Sequence, residues 1–219
     1  MSSCGDDESV EPDLTTGLSY FPLVKGNWIE YVADSIVHLP DDDNSEIDSL
    51  KEYYHFYIRE VIDSSFTDSQ GNTAFVVLRY RRMSDTLPWE LSNVWTANAD
   101  LNSAQRVEDN IRFIKLKFPI ETSTSWNGNA YNFFPEEEFN YENIFEPKQL
   151  NSLHFDSTIT TEYEFLSVVN RTTKKEIYGA EVGLLYKQHD SIRTANTPSH
   201  GFIILNGVEY TQQVTDYKH

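Results

Sequence analysis

The chain is expected to be all-β, an antiparallel meander or barrel of about nine or ten strands. Three observations carry this. Apolar and polar residues alternate with period two, most cleanly where Ile159, Thr161, Tyr163 and Phe165 interleave with Thr160, Glu162 and Glu164. Clusters of Gly, Asn, Asp, Ser and Pro divide the chain at strand-length intervals. No long amphipathic helical pattern is present, and residues 136–141 are the one short helical candidate.

The elements follow in order. Residues 1–17 form a flexible acidic arm, and residues 18–219 form a single β-rich domain with no linker composition inside it. A strand-like run over 27–39 contains Trp28-Ile29-Glu30-Tyr31-Val32 and ends at Pro40; a second, dense in aromatics, covers 51–63. Asp68-Ser69-Gln70-Gly71-Asn72 is a turn. It leads into 73–83, whose Phe75-Val76-Val77-Leu78 is apolar on both faces, as a central strand would be. Residues 91–99 and 103–108 form a short hairpin. The apolar phase of 111–118 shifts midway, which calls for a bulge. Residues 120–150 look irregular, broken by Asn127-Gly128, Pro135 and Pro147. After the strand at 159–165, residues 170–175 read as a turn, and Val182, Leu184 and Tyr186 mark the next strand. The last run, 201–217, is interrupted by Asn206-Gly207, a pair that favours a tight hairpin turn.

Composition excludes several classes. The 219 residues carry 35 acids against 17 bases, a net charge of −18. Nucleic acid is therefore not expected as a partner, because phosphate recognition needs clustered Lys and Arg. The excess acid is concentrated in 1–14, 41–48 and 136–146, and the rest of the chain is nearly neutral. Aromatics are abundant (13 Phe, 13 Tyr, 4 Trp), unlike a disordered chain. One cysteine excludes an internal disulfide. Asp41, Asp43, Ser45, Ser49 and Glu52 fall at calcium-loop positions. However, Glu46 stands where such a loop needs Gly and Asp48 where it needs an apolar residue, so this is a solvated hairpin loop.

Three strings together resemble a family of uncharacterised Bacteroidetes lipoproteins. They are Tyr20-Phe21-Pro22-Leu23 with Gly26-Asn27-Trp28, Trp126-Asn127-Gly128-Asn129-Ala130-Tyr131-Asn132, and Tyr178-Gly179-Ala180 with Gly183-Leu184 and Tyr186-Lys187. The resemblance spans about residues 18–217. It implies a strongly curved antiparallel sheet or half-open β-barrel with a concave apolar face, similar in fold to periplasmic lipoprotein carriers. Ser2-Ser3-Cys4-Gly5 resembles the end of a lipobox, which makes Cys4 the lipid-anchor residue and Met1 a new start. Asp6-Asp7-Glu8 is similar to the export signals of such proteins. The implied location is the bacterial outer membrane, lipid-anchored, on the periplasmic side or at the cell surface. Asp34-Ser35-Ile36 and Asp190-Ser191-Ile192 resemble the O-glycosylation triplets of these bacteria, a motif too short to weigh.

The search for chemistry points away from an enzyme. There is no Gly-x-Ser-x-Gly elbow, no phosphate-binding glycine loop and no His-Glu-x-x-His; the six histidines are scattered singly. Glu136, Glu137 and Glu138 have the residue type of a glycosidase pair but stand together, as a solvated loop does. No catalytic residue, metal or cofactor is expected. Trp28, Trp89, Trp95 and Trp126 either fill a core or line a groove, with Trp89 expected to be the most exposed. Lys115 and Lys117 alternate with Ile114 and Leu116 and are expected on a solvent face. Arg79-Tyr80-Arg81-Arg82 is the dense basic cluster, suited to pairing with acids or to an anionic head group. The expected function is therefore a non-enzymatic, lipid-anchored envelope protein binding an apolar ligand or a partner protein on its concave face. The alternative is a cell-surface glycan-binding module using exposed aromatics.

Overall fold

The computed structural model describes residues 17–40 and 48–219. Twelve strands run in chain order. The first six are β1 (Trp28–Leu39), β2 (Leu50–Thr67), β3 (Thr73–Arg82), β4 (Glu90–Ala99), β5 (Ser103–Glu108) and β6 (Ile111–Lys117). The second six are β7 (Ser125–Asn127), β8 (Glu138–Leu150), β9 (Leu153–Leu166), β10 (Asn170–Gly179), β11 (Gly183–Thr197) and β12 (Gly201–Lys218). Among the described residues the one helical piece is a 3₁₀ turn, Leu18–Tyr20. The acidic arm through residue 16, Cys4 within it, and residues 41–47 of the acidic loop lie outside the described residues.

All twelve strands belong to one antiparallel sheet in the order β6-β5-β4-β3-β2-β1-β12-β11-β10-β9-β8-β7. The chain ends meet in the middle, where β1 pairs with β12, and the two edges are the mid-chain strands β6 and β7. Those edges curl toward each other. The Ile114 N–H donates to the Gly128 carbonyl at 3.0 Å, and Trp126 Nε1 donates to the Ile114 carbonyl at 3.2 Å. The sheet is thus a nearly closed barrel, which removes the exposed edges that an open sheet must otherwise protect.

Local chemistry sets the turns. Asp68 accepts from the N–H groups of Gln70 and Asn72, and Asp100 from those of Asn102 and Ser103. Asp109 and Asn110, both at positive φ, make the two-residue link from β5 to β6. The phase shift read in β6 is a bulge: Ala104 pairs with Leu116 but Gln105 with Ile114, so Lys115 is the extra residue.

Several expectations are corrected. There are twelve strands rather than nine or ten, and the barrel is nearly closed rather than half-open. The added strands are β7 and β8, within the stretch expected to be irregular, and β10, which runs through the expected turn at 170–175. Residues 136–141 are not helical but run into β8. β8 tolerates Pro147 because its ladder with β9 is broken by register shifts around Glu146 and Lys148. Asn206-Gly207 is no hairpin turn either. β12 continues through it with a bulge against Arg193 and Thr194, and Gly207 is required because a Cβ would lie 2.3 Å from the Ser191 carbonyl.

The N-terminal segment closes one end of the barrel. Tyr20 is fully buried and its hydroxyl meets Ser157 Oγ at 2.6 Å. It packs with Leu116, Phe118, Trp126, Tyr141, Ile159 and Tyr178. Gly17, at φ +79°, lies so close to the Phe118 ring that a Cβ would clash.

Candidate functional site

An eight-stranded barrel is just wide enough for side chains to fill it, and diameter grows with strand number. Twelve strands leave a wider lumen, and here long charged side chains reach into it. Each enters in phase with apolar neighbours: Glu60 between Ile58 and Ile62, Arg79 two residues after Val77, Arg106 two after Ala104, Lys187 two after Leu185. Their contacts cross the barrel. Lys115 on β6 donates to Glu176 on β10 at 2.7 Å, and Arg106 on β5 donates to Glu60 on β2 at 2.5 Å. The concave apolar face implied by the resemblance is therefore interrupted, midway along the lumen, by a charge network.

The network has a paired half and an underpaired half. Glu60 receives Arg79 on one oxygen and Arg106 on the other, both at 2.5 Å. Glu176 receives Lys115 and the Tyr178 hydroxyl. Lys174 donates to both oxygens of Glu137 at 2.6 Å. Glu108 is less well served, with Lys115 at 3.8 Å and Lys187 at 4.0 Å, and its Oε1 accepts no hydrogen bond. Lys187 lies 3.7 Å from Glu176 and, among the described residues, donates no hydrogen bond at all. Arg106 Nε and Gln212 Nε2 are also buried without partners.

Protonation follows from these surroundings. Burial works to raise the Glu60 carboxyl, but Arg106 and Arg79 outweigh it and hold the group below its ordinary range. Burial acts likewise on Glu108, and Lys187 and Lys115 hold it far below. Lys115 is raised despite burial, because Glu176 and Glu108 favour its charge. Lys187 goes the other way: burial, helped by Lys115 and Arg79, lowers it. His189 is pushed down to about 4 by burial and by Lys174, Lys187 and Lys115, so it is neutral at pH 7.

Two cavities flank the network. Beneath the N-terminal plug a cavity of about 60 Å³ is walled by Phe21, Leu23, Trp28, Ile62 and Val182, with Glu60 and Arg106 at its floor. Toward the opposite end a cavity of about 130 Å³ is lined by Glu108, Lys115, Lys174, Glu176, Lys187 and His189, with Phe113 and Phe139 among its walls.

The residues singled out in the sequence divide as follows. Lys115 is not on a solvent face; the bulge turns it into the lumen. The basic cluster splits: Arg79 enters the lumen, Arg81 lies 3.9 Å from the Phe56 ring centroid, and Arg82 packs on the outside. Trp95 and Trp126 are core. Trp28 and Trp89 are half-buried, each with the Arg59 guanidinium 5.1 Å from its ring centroid, Trp28 also bordering the smaller cavity, and Arg82 lies 4.3 Å from the Trp89 centroid. Of the three adjacent acids, Glu137 pairs with Lys174 and Glu138 accepts from Ser125, so they form no facing pair. Two of the six histidines take on roles that isolation in the sequence concealed. His189 lines the larger cavity, and His38 bridges Ser49 Oγ at 2.9 Å and Glu209 at 2.6 Å. Neither cavity reaches that Ser-His-Glu chain. No group of three metal-ligating side chains converges among the described residues.

The lumen residues Glu60, Arg106, Glu108, Glu176 and Lys187 escaped sequence reasoning. The signal was present, as charges at strand positions in phase with apolar residues, but it also marks an ordinary exposed face. No protein-family model matches the chain, and no curated protein shows significant similarity to it.

Proposed function

We propose that this is a non-enzymatic binding protein of the bacterial cell envelope, held to a membrane through a lipid on Cys4, whose barrel lumen receives a small polar ligand. The observation that carries the reading is the incompletely paired charge network around the larger cavity. Burying charge is costly unless each ion is paired and hydrogen-bonded. A lumen needed only for stability would be filled more cheaply by apolar side chains. Lys187 and Glu108 are instead left facing a space of about 130 Å³.

The size and lining of the cavities favour a polar solute over an acyl chain. The apolar cavity is the smaller of the two, and its floor is charged. The glycan reading draws less support, because Arg59 and Arg82 already occupy faces of Trp28 and Trp89 that a sugar ring would stack on.

Native mass spectrometry of the purified chain tests the binding reading. A discrete mass above that of the denatured chain, released on unfolding, is the expected result. A bare chain mass, with no small polar solute binding on titration, would remove it. Acylation is tested separately by expressing the chain behind a lipoprotein leader: labelled fatty acid should enter the wild type and not Cys4→Ser.

A further inference from the structure

We infer that the larger lumen cavity is a binding site for one small oxyanion, a carboxylate or phosphate, taken by the Lys187 ammonium together with the His189 ring. This deepens the proposed ligand-binding function and rests on it.

Arg79, Arg106, Lys115, Lys174 and Lys187 converge on Glu60, Glu108, Glu137 and Glu176, so the enclosed network carries one more cation than anion. Lys115, Lys174 and Lys187 line the cavity beside Glu108, Glu137 and Glu176, and of these three lysines Lys187 is the one without a hydrogen bond among the described residues. Lys115 and Lys174 each donate to a carboxylate at 2.6–2.7 Å, whereas Lys187 comes no closer than 3.7 Å to one and donates no hydrogen bond among the described residues. Lys187 is partly exposed, and both carboxylates near it lie beyond hydrogen-bond distance, so its hydrogens are available to a ligand in the cavity. A bound anion would accept those hydrogens in charge-assisted bonds.

His189 supplies the second observation. It lies two residues from Lys187 on β11, on the same face, opposite Lys174 in register. It lines the same cavity and makes no hydrogen bond among the described residues. A neutral imidazole offers one N–H donor without adding a further cation to the lumen. The cavity volume of about 130 Å³ equals the share of about four waters in the liquid. That suits the whole of acetate or phosphate, and any acyl chain attached to such a group would have to lie outside the cavity.

Isothermal titration calorimetry of the full chain tests this, with sodium acetate and with sodium phosphate at constant ionic strength, against sodium chloride and glycerol. Saturable binding of acetate or phosphate, and none of glycerol, is expected. Lys187→Met should weaken that binding about ten- to a hundredfold, the worth of a charged hydrogen bond. Lys187→Arg should retain it, and Lys25→Met, on the exposed surface, should leave it unchanged. Where Lys187→Met fails to fold, the Lys187→Arg titration and the shift of the His189 ring resonances on adding acetate decide the matter. Heats indistinguishable from those with sodium chloride, or a folded Lys187→Met that binds like the wild type, would overturn the assignment. A co-purifying neutral sugar would keep the binding function and sink the oxyanion. A bare chain that binds nothing would sink both.

Discussion

At the end of the barrel carrying Leu18–Tyr20, the lumen is filled by Tyr20, Leu116, Phe118, Tyr141 and Ile159, all buried members of one hydrophobic cluster. At the opposite end, the same width of lumen is spanned by Lys115, Glu176, Glu108 and Lys187 around open space. Both ends belong to one sheet and one set of strands. The apolar end uses a segment outside the sheet as a stopper; there the Tyr20 hydroxyl meets Ser157 and the Tyr141 hydroxyl donates to the Lys117 carbonyl at 2.7 Å, while the unpartnered atoms are neutral hydroxyls, Ser19 Oγ and Thr160 Oγ1. The charged end has no such stopper among the described residues, and it keeps Glu108 and Lys187 short of hydrogen bonds. Where a fold could fill space with carbon and instead holds underpaired charge, the arrangement is better explained by a ligand than by stability.

The largest expected effect lies at the stoppered end. Tyr20→Ala should cost about 3–5 kcal/mol in urea unfolding, the range for emptying a buried aromatic site. Tyr20→Phe, which loses only the Ser157 hydrogen bond, should cost about 1 kcal/mol. Equal losses for the two variants would mean that the ring fills no core. Next in size is Glu60→Gln, in the shared middle of the lumen. It leaves Arg79 and Arg106 without their common carboxylate, at about 3 kcal/mol. Glu137→Gln, at the mouth of the charged cavity where its partner Lys174 is still reached by water, should cost about 1 kcal/mol. A Glu137 effect matching that of Glu60 would erase the distinction between a tightly paired middle and a yielding mouth.

How much of this was legible in the sequence differs along the same axis. Strands that keep one apolar face announced themselves, as β9 did through Ile159, Thr161, Tyr163 and Phe165. The bulge in β6 was legible as a phase break, but its consequence was not: the extra residue is Lys115, and the break turns it into the lumen. β8 was hidden by Pro147 and by a run of acids that look like loop. β10 was hidden because Asn170, Arg171, Lys174 and Lys175 look like a turn, although Lys174 points to Glu137 and so faces inward. The lumen as a whole was illegible for one physical reason. Its charges are stabilised by partners on strands far away in sequence, Glu60 with Arg106 and Lys115 with Glu176, and period-two patterning carries no information about such pairing.

The pH dependence of stability sharpens the comparison from the charged end. His189 is faced by Lys174 and Glu176 from β10, Lys187 on its own strand, Lys115 from β6 and Glu137 ahead of β8. Its folded pKa of about 4 lies below its ordinary 6.5, so in that window the unfolded chain binds a proton that the folded chain refuses. Stability should be complete above pH 6.5 and fall as the pH drops toward 4, by up to about 3 kcal/mol. Glu60, Glu108 and Glu176, held low in the folded state, add their losses only below the ordinary carboxylate range. His189→Gln should therefore flatten the upper part of the window and leave the acid limb in place. An unchanged profile in that variant would show that the ring is open to solvent rather than enclosed with the lysines.

The smallest effect belongs outside the lumen and serves as the control for both ends. Trp89→Ala removes a ring that two guanidinium groups cover, those of Arg59 and Arg82, but it opens no space inside the barrel. Cation–π contacts at such half-exposed sites are worth about 0.5–1 kcal/mol each, so a total near 1 kcal/mol is expected in urea unfolding. Oxyanion titrations of this variant should match the wild type, because Trp89 lines neither cavity. A change in anion affinity without a comparable change in stability would mean that the outer Arg59–Trp89–Arg82 stack is coupled to the lumen through β2 and β3. Arg79 would be the residue to follow, since it lies on β3 between the two surfaces and holds Glu60 from the inside.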